Sequence, residues 1–256
     1  MIVRKLLFTL LGFKNYLKFI SYIFLKSYVS KFYLGEHFQV RFLEKLVKPG
    51  SVCIDIGANL GYFTIPLSRI TGKEGKVFAV EPVKDFRETL ESNIASFALG
   101  NVEVLPYALG ETDNLKVQMG TPRVDGVVRH GRTEVLESGQ GDAALTHEAT
   151  MMSPKTLFAD LKQLDYIKCD VEGYELHIIP HFVYLCKKFK PVLEIEIDSL
   201  ENKREMIQLL GGIGYSIYYL ENEKLKPFKL AESKFMNVIE LYFLPDVKLE
   251  EFKHLL

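Results

Sequence analysis

The feature that most constrains this chain is a short apolar run over residues 51–56 that leads into Asp55-Ile56-Gly57-Ala58-Asn59-Leu60-Gly61-Tyr62-Phe63-Thr64. A strand ends there in a glycine turn that opens a helix. Glycine lets backbone approach a ligand closely, and the first turn of a helix offers unpaired N–H groups. In open α/β sheets ligands bind in the crevice beyond the carboxyl ends of the strands. The glycine spacing is G-x-x-x-G, not the G-x-G-x-x-G of dinucleotide-binding loops. Taken alone, the loop also suits a tight turn with no ligand.

The flanking sequence keeps this rhythm. A helix is predicted over 60–70, with Tyr62, Phe63, Leu67 and Ile70 apolar, and Thr71-Gly72 stops it. A strand over 76–80 follows, ending at Glu81-Pro82. A helix over 83–99 closes at Gly100-Asn101, and strands are expected over 102–105 and, more weakly, 114–119. After an interval, a strand over 164–169 ends at Asp170. Then come a helix over 174–188, a strand over 192–197, a helix near 201–210 and strands near 215–220 and 237–243. Such alternation predicts a doubly wound, mostly parallel α/β sheet covered on both faces. The last two strands are too close in sequence for a helical crossover, so an antiparallel hairpin is expected at one edge. Residues 120–152, mixed and weakly periodic, read as a long loop or irregular insertion that serves as a substrate lid.

Composition sets the bounds. The 256 residues, 48% hydrophobic and 25% charged, suffice for one sizeable core with a short extension, and a net charge of -1 gives no reason to expect nucleic acid. Cys53, Cys169 and Cys186 form no CxxC pair and read as buried thiols, which favours a reducing cytoplasm. Residues 1–35 stand apart from the 36–256 domain. They hold no acidic residue but carry Arg4, Lys5, Lys14, Lys18, Lys26 and Lys31. The uncharged run over 6–13 is far short of the roughly 20 residues a spanning helix needs. On a helical wheel Arg4, Lys14, Asn15, Lys18, Ser21 and Lys26 share one side, giving a basic amphipathic helix or helix pair. Three readings stand: a helix covering the cleft, a peripheral membrane contact, and a signal segment, although no small-residue cleavage site follows.

Two further signals carry chemistry. Glu81 ends the second strand, 20 residues after Gly61, where an acid can accept hydrogen bonds from both ribose hydroxyls of an adenosine. Asp165-Tyr166-Ile167-Lys168-Cys169-Asp170-Val171-Glu172-Gly173-Tyr174-Glu175 is a strand whose acidic end leads into a helix. With residues 55–64, Glu81-Pro82 and Asn93, it resembles the FkbM methyltransferase family, marked by D-x-G-A-N-x-G, E-P and I-K-x-D-V-E-G-x-E. The chain departs from that pattern at Leu157–Asp160 and at Pro180-His181, both on the acceptor side.

The resemblance implies a seven-stranded class I fold and methyl transfer from S-adenosylmethionine, usually to a hydroxyl oxygen. By motif, Asp55, Gly57, Asn59 and Gly61 would line the methionine end of the cofactor, with Ala58 and Tyr62 in the same loop. Glu81, beside Pro82, would hold the ribose, and Ala108 would lie near the adenine. Asp170 would face the sulfonium, either binding the cofactor's amino group or acting as the base that takes a hydroxyl proton; Glu172 is the second candidate. The expected acceptor is a small hydroxyl-bearing molecule such as a sugar, a glycan precursor or a secondary metabolite. Glu194, Glu196 and Asp198 fall on one strand face. They either pair with Lys168 or backbone donors, or form an oxygen-rich Mg²⁺ site. His147 is an alternative base; His130, His177 and His181 read as surface or packing residues. The rival readings are a non-catalytic nucleoside-binding module and a nicotinamide-dependent oxidoreductase.

Overall fold

The computed structural model describes residues 2–30, 38–124, 127–128, 130–136, 144–230 and 237–256. Along the chain run helices α1 (Ile2–Val29) and α2 (Phe38–Leu46), strand β1 (Val52–Ile56), helix α3 (Thr64–Thr71), β2 (Lys76–Val80), α4 (Lys84–Ser96) and β3 (Val102–Leu105). The short strands β4 (Tyr107–Leu109), β5 (Leu115–Thr121), β6 (Arg123–Val124), β7 (Val127–Val128) and β8 (Glu134–Val135) precede β9 (Leu145–Met152) and helix α5 (Pro154–Leu157). Then follow β10 (Tyr166–Cys169), α6 (Glu175–Ile178), α7 (Val183–Phe189), β11 (Val192–Glu196) and α8 (Leu200–Gly211). Strands β12 (Tyr215–Glu221), β13 (Lys224–Pro227) and β14 (Glu240–Pro245) lead to a final 3₁₀ segment, Asp246–Leu255.

The main sheet has the order β13-β12-β14-β11-β10-β1-β2-β3. From β11 through β3 neighbours are parallel, while β14 runs antiparallel to both β11 and β12. The doubly wound arrangement is as expected, and the two strands near 215–220 and 237–243 pair antiparallel toward one edge, β12 with β14. One correction follows: the sheet has eight strands, not seven, because Lys224–Pro227 adds an outer hairpin to β12.

Strand residues alternate between two cores, as a period of two requires. Ile54, Ile167 and Leu193 face Phe158, Phe182 and Met206. Cys53, Tyr166 and Val192 face Phe42, Leu43, Leu67 and the closing segment's Phe252. All three cysteines are buried and unbridged.

Three elements differ from the sequence reading. The helix expected from residue 60 starts at Thr64, because Gly57, Asn59 and Gly61 all have positive φ and keep residues 57–63 in turns. The helix expected over 174–188 is interrupted by a 3₁₀ turn, Ile179–Phe182. Pro180 lacks the N–H that an unbroken α-helix would use there. The described part of 120–152 (residues 125, 126, 129 and 137–143 excepted) is largely regular: β9 pairs with β5 over seven residues and with β4 in parallel, forming a second sheet of order β4-β9-β5-β8. Residues 137–143 of that insertion and 31–35 of the N-terminal segment, Lys31 included, lie outside the described residues.

Helix α1 bends at Gly12, whose φ of 69° and ψ of 166° are non-helical. It packs across α4 and the second sheet, in a cluster of Tyr16, Leu17, Leu60, Phe86, Met119 and Met151. Leu17 and Leu25 are wholly buried, each contributing about 1.5–3 kcal/mol. The polar side read from the wheel does not simply face water. Ser21 is buried and accepts a hydrogen bond from Asn93 Nδ2 at 2.9 Å, and Lys14 pairs with Asp85 at 2.8 Å and Glu88 at 3.1 Å. α1 therefore covers the domain beside the cleft. No described helix is long and apolar enough to cross a membrane.

Candidate active site

A cavity of about 200 Å³ opens at the carboxyl ends of β1, β2 and β10, under the second sheet. Its floor is the loop after β1. Gly57 has a φ of 81°, and a Cβ there would lie 1.9 Å from the Asp170 carbonyl oxygen. Only glycine permits this contact between the two loops. Asn59 in the same loop and Glu172 in the facing one also have positive φ, 50° and 51°. Left-handed backbone in two non-glycine residues at one cavity marks a local cost that the surrounding structure holds in place.

Each loop has its own brace. Asn93 Nδ2, from α4, donates to the Leu60 carbonyl at 2.8 Å. Thr64 Oγ1 donates to Asp55 Oδ2 at 2.5 Å. On the other side the buried Glu175 accepts from Gly173 N at 3.0 Å and Val171 N at 3.4 Å. The last acid of the D-V-E-G-x-E motif thus shapes the loop carrying Asp170 and Glu172. It does not line the cavity.

Glu81 is buried at the cavity wall. Its Oε2 accepts from Asn59 N and its Oε1 from Val83 N, both at 2.8 Å. Each carboxylate oxygen keeps a lone pair for another donor. Burial pushes its pKa up to about 7, against the pull of those N–H groups and of Arg87. Asp55 is raised by burial to about 6, opposed by Thr64 and Lys168.

The opposite end is crowded with acids. Burial raises Asp170, Lys168 opposes the shift, and Glu196 hydrogen-bonds to the Asp170 side chain. Glu172 is raised to about 7 by burial and then by Asp170 and Asp198, with Arg132 of the insertion pulling the other way. Glu196 reaches about 8, from burial and Asp170.

Beneath them lies Lys168, 3.0 Å from Glu240 Oε1 and 3.5 Å from Glu194 Oε1, with its ammonium 4.8 Å from the centre of the Phe63 ring. Burial alone would favour a neutral amine, but Glu240 and Glu194 hold the ammonium charged. Burial and then Glu240 push the Glu194 pKa up, while Lys168 and the Tyr166 hydroxyl that donates to it pull the other way. Glu194 lies within ion-pair distance of Lys168, one of the two arrangements the sequence allowed. Among the described residues no group of three or more His, Cys, Asp and Glu side chains is placed to hold a metal ion.

Of the residues singled out by sequence, Asp55, Gly57, Ala58, Asn59, Tyr62, Glu81, Pro82, Ala108, Asp170 and Glu172 all line this cavity. Gly61 does not: its φ of 93° turns the chain, and a Cβ there would meet Leu90 Cδ1 at 2.8 Å. His147 is also outside the lining, on β9 against Phe86, with its ring centre 6.1 Å away. Its burial lowers its pKa. The sequence reading put a lid over 120–152 but named none of the roof residues, Met119, Gly131, Thr133 and Val135, nor Lys168 as a wall residue. It also missed Glu240, whose only sequence signal is an acid in an apolar terminal strand.

The cavity suits a nucleoside-bearing cofactor by its own chemistry. A glycine floor admits a ligand against the backbone, a buried carboxylate offers paired acceptors, and Tyr107, Ala108, Leu109 and Phe86 supply a flat apolar wall.

Comparison with known proteins agrees. The chain matches the Methyltransferase FkbM domain over residues 55–217. A 69-residue stretch is 36% identical to a "probable cobalt-precorrin-6B C(15)-methyltransferase (decarboxylating)" of Sulfurisphaera tokodaii, covering 25% of this chain and 36% of that protein. The chain thus spans little more than a third of that curated relative's length. Among solved structures, an FkbM methyltransferase of Methylobacillus flagellatus KT superposes with a TM-score of 0.49 and 20% identity, over 77% of this chain and 44% of that one. An rRNA methylase of Streptococcus thermophilus gives 0.46 and 12%, over 82% and 94%. With well over half its length inside the family's domain, the protein belongs to the FkbM methyltransferase family, with the class I fold and S-adenosylmethionine as cofactor.

Proposed function

We propose that the protein methylates a hydroxyl oxygen of an uncharged, polyhydroxylated acceptor, a sugar, glycan precursor or secondary metabolite. The observation that carries this reading is the acidic end of the cavity, where Asp170 and Glu172 lie within the influence of Glu196 and Asp198. Acids so placed repel a phosphodiester backbone and accept hydrogen bonds from hydroxyl groups. This favours a neutral acceptor over nucleic acid.

When bound, S-adenosylmethionine supplies an electrophilic methyl group on a sulfonium that is itself a good leaving group. The chain's own residues would do the rest. Glu81 would accept the ribose hydroxyls, with Pro82 beside it, and the loop from Asp55 to Tyr62 would hold the methionine end. Tyr107, Ala108 and Leu109 would flank the adenine. Most of the rate enhancement comes from holding acceptor oxygen and methyl in line. Asp170 would take the hydroxyl proton on its carboxylate, with Glu172 the alternative. Roofing by Met119, Thr133 and Val135 would exclude water, the part a substrate lid would play.

The test is transfer of labelled methyl from S-adenosylmethionine to a panel of neutral glycosides and to RNA. Label recovered on a glycoside oxygen is expected. Label incorporated only into RNA, or only onto carbon or nitrogen, would overturn the reading.

A further inference from the structure

The outward side of α1 carries large apolar groups that the domain leaves in solvent. Leu6 is 58% exposed, Leu10 72%, Phe19 43% and Ile23 40%. Beyond the bend at Gly12, Phe19, Tyr22, Ile23 and Lys26 fall at i, i+3, i+4 and i+7, one continuous stripe. Tyr22 is held there by stacking on Phe97 of the domain, with ring centres 5.6 Å apart. Lys26 at the end of the stripe and Lys18 beside it are exposed, and neither forms an ion pair among the described residues. Lys14, by contrast, is already matched by Asp85 and Glu88. The opposite side of the helix is spoken for by Leu17, Leu25 and the Ser21–Asn93 hydrogen bond.

We propose that this face of α1 docks on the surface of an anionic phospholipid bilayer. Charge selects this occupant. Residues 1–35 contain no acid, so a basic, apolar helix meets a negative surface without repulsion from its own segment. Since no described helix can span a bilayer, α1 lies in the interface plane with its apolar side chains in the headgroup region. The same helix touches the cavity wall. Phe24 packs edge-on against Tyr62 with ring centres 4.9 Å apart, and Phe13 against Phe86 at 6.5 Å. Docking would therefore hold the cavity about one helix diameter, ~10 Å, from the membrane surface.

Sedimentation of the full chain with vesicles tests this, comparing phosphatidylcholine alone with phosphatidylcholine plus phosphatidylglycerol. Binding to the mixed vesicles is expected, and little to the neutral ones. The pair Leu10→Glu with Ile23→Glu should lower partitioning at least tenfold. Lys18→Gln and Lys26→Gln should each lower it about fivefold. Unchanged melting temperatures would show that the variants fold, independently of any cofactor binding. Absence of binding to mixed vesicles would overturn the proposal, as would binding unaffected by the paired glutamates. A dimer seen by light scattering, abolished by those glutamates in a protein that ignores vesicles, would instead assign the face to a second copy of this chain.

Discussion

The two ends of the cavity hold carboxylates in opposite ways. Glu81, in the cavity lining, is fixed by two backbone N–H groups. At the other end burial raises the pKa values of Asp170, Glu172 and Glu196, the charge of Asp170 raises the other two further, and Lys168 opposes the shifts of Asp170 and Glu196. The first arrangement suits a fixed hydrogen-bonding partner. The second suits proton exchange, because small changes nearby move protons among its members. The proposed function gives binding and chemistry to separate carboxylates, and that division can be tested.

The largest effect is expected at the counter-charge. Lys168→Met would leave Glu240 ionised and buried with no cation, costing about 3–5 kcal/mol. Denaturant unfolding should show this, with partial recovery in Lys168→Met/Glu240→Gln. Equal stability to wild type would mean the acidic end does not depend on Lys168. Next comes the floor that joins both ends. Gly57→Ala must place a Cβ 1.9 Å from the Asp170 carbonyl at a φ of 81°, which should cost about 3 kcal/mol and displace both loops. Thermal melting measures it, and a change within error would contradict the packing described.

Asp170→Asn should reduce kcat about a hundredfold with little change in S-adenosylhomocysteine affinity, and Glu172→Gln should reduce it less. If affinity falls along with kcat in Asp170→Asn, Asp170 serves the cofactor's amino group instead. The remaining test is of pH dependence, and its two signs differ. Asp55, Glu81, Glu172 and Glu196 have folded pKa values raised to about 6, 7, 7 and 8. The native state therefore holds more protons than the unfolded state from about pH 4.5 upward, and the ligand-free protein should lose stability as pH rises toward 8. Cofactor affinity should run the other way, because ribose hydroxyls need the ionised Glu81. Between about pH 6 and 8 it should rise about tenfold. A flat affinity profile would remove Glu81 from that role.

The binding end was far more legible in the sequence than its roof. Asp55, Gly57, Asn59 and Glu81 lie in contiguous strand–turn segments, where local spacing fixes geometry. The second sheet depends on pairings remote in sequence, such as Tyr107 with Thr150 and Ala108 with Met151. Its longest strand, Leu145–Met152, interleaves Thr, His and Glu with few apolar residues because only one face is covered. The edge strand Lys224–Pro227 escaped notice for a related reason: four residues with two lysines and a proline carry no apolar alternation. Ser21 misled the wheel because its burial depends on Asn93, 72 positions away. The break in the helix over 174–188 is legible in Pro180, which lacks the N–H an unbroken helix needs there.

The central claim is that Glu81 and the Asp55–Tyr62 loop hold an adenosyl cofactor. Calorimetric titration of the protein with S-adenosylhomocysteine, with NADH as control, tests it most directly. Micromolar binding of S-adenosylhomocysteine alone, weakened about a hundredfold in Glu81→Ala, is the expected result, since a charge-assisted pair of hydrogen bonds is lost. Binding of NADH instead, or S-adenosylhomocysteine affinity unaffected by Glu81→Ala, would contradict it.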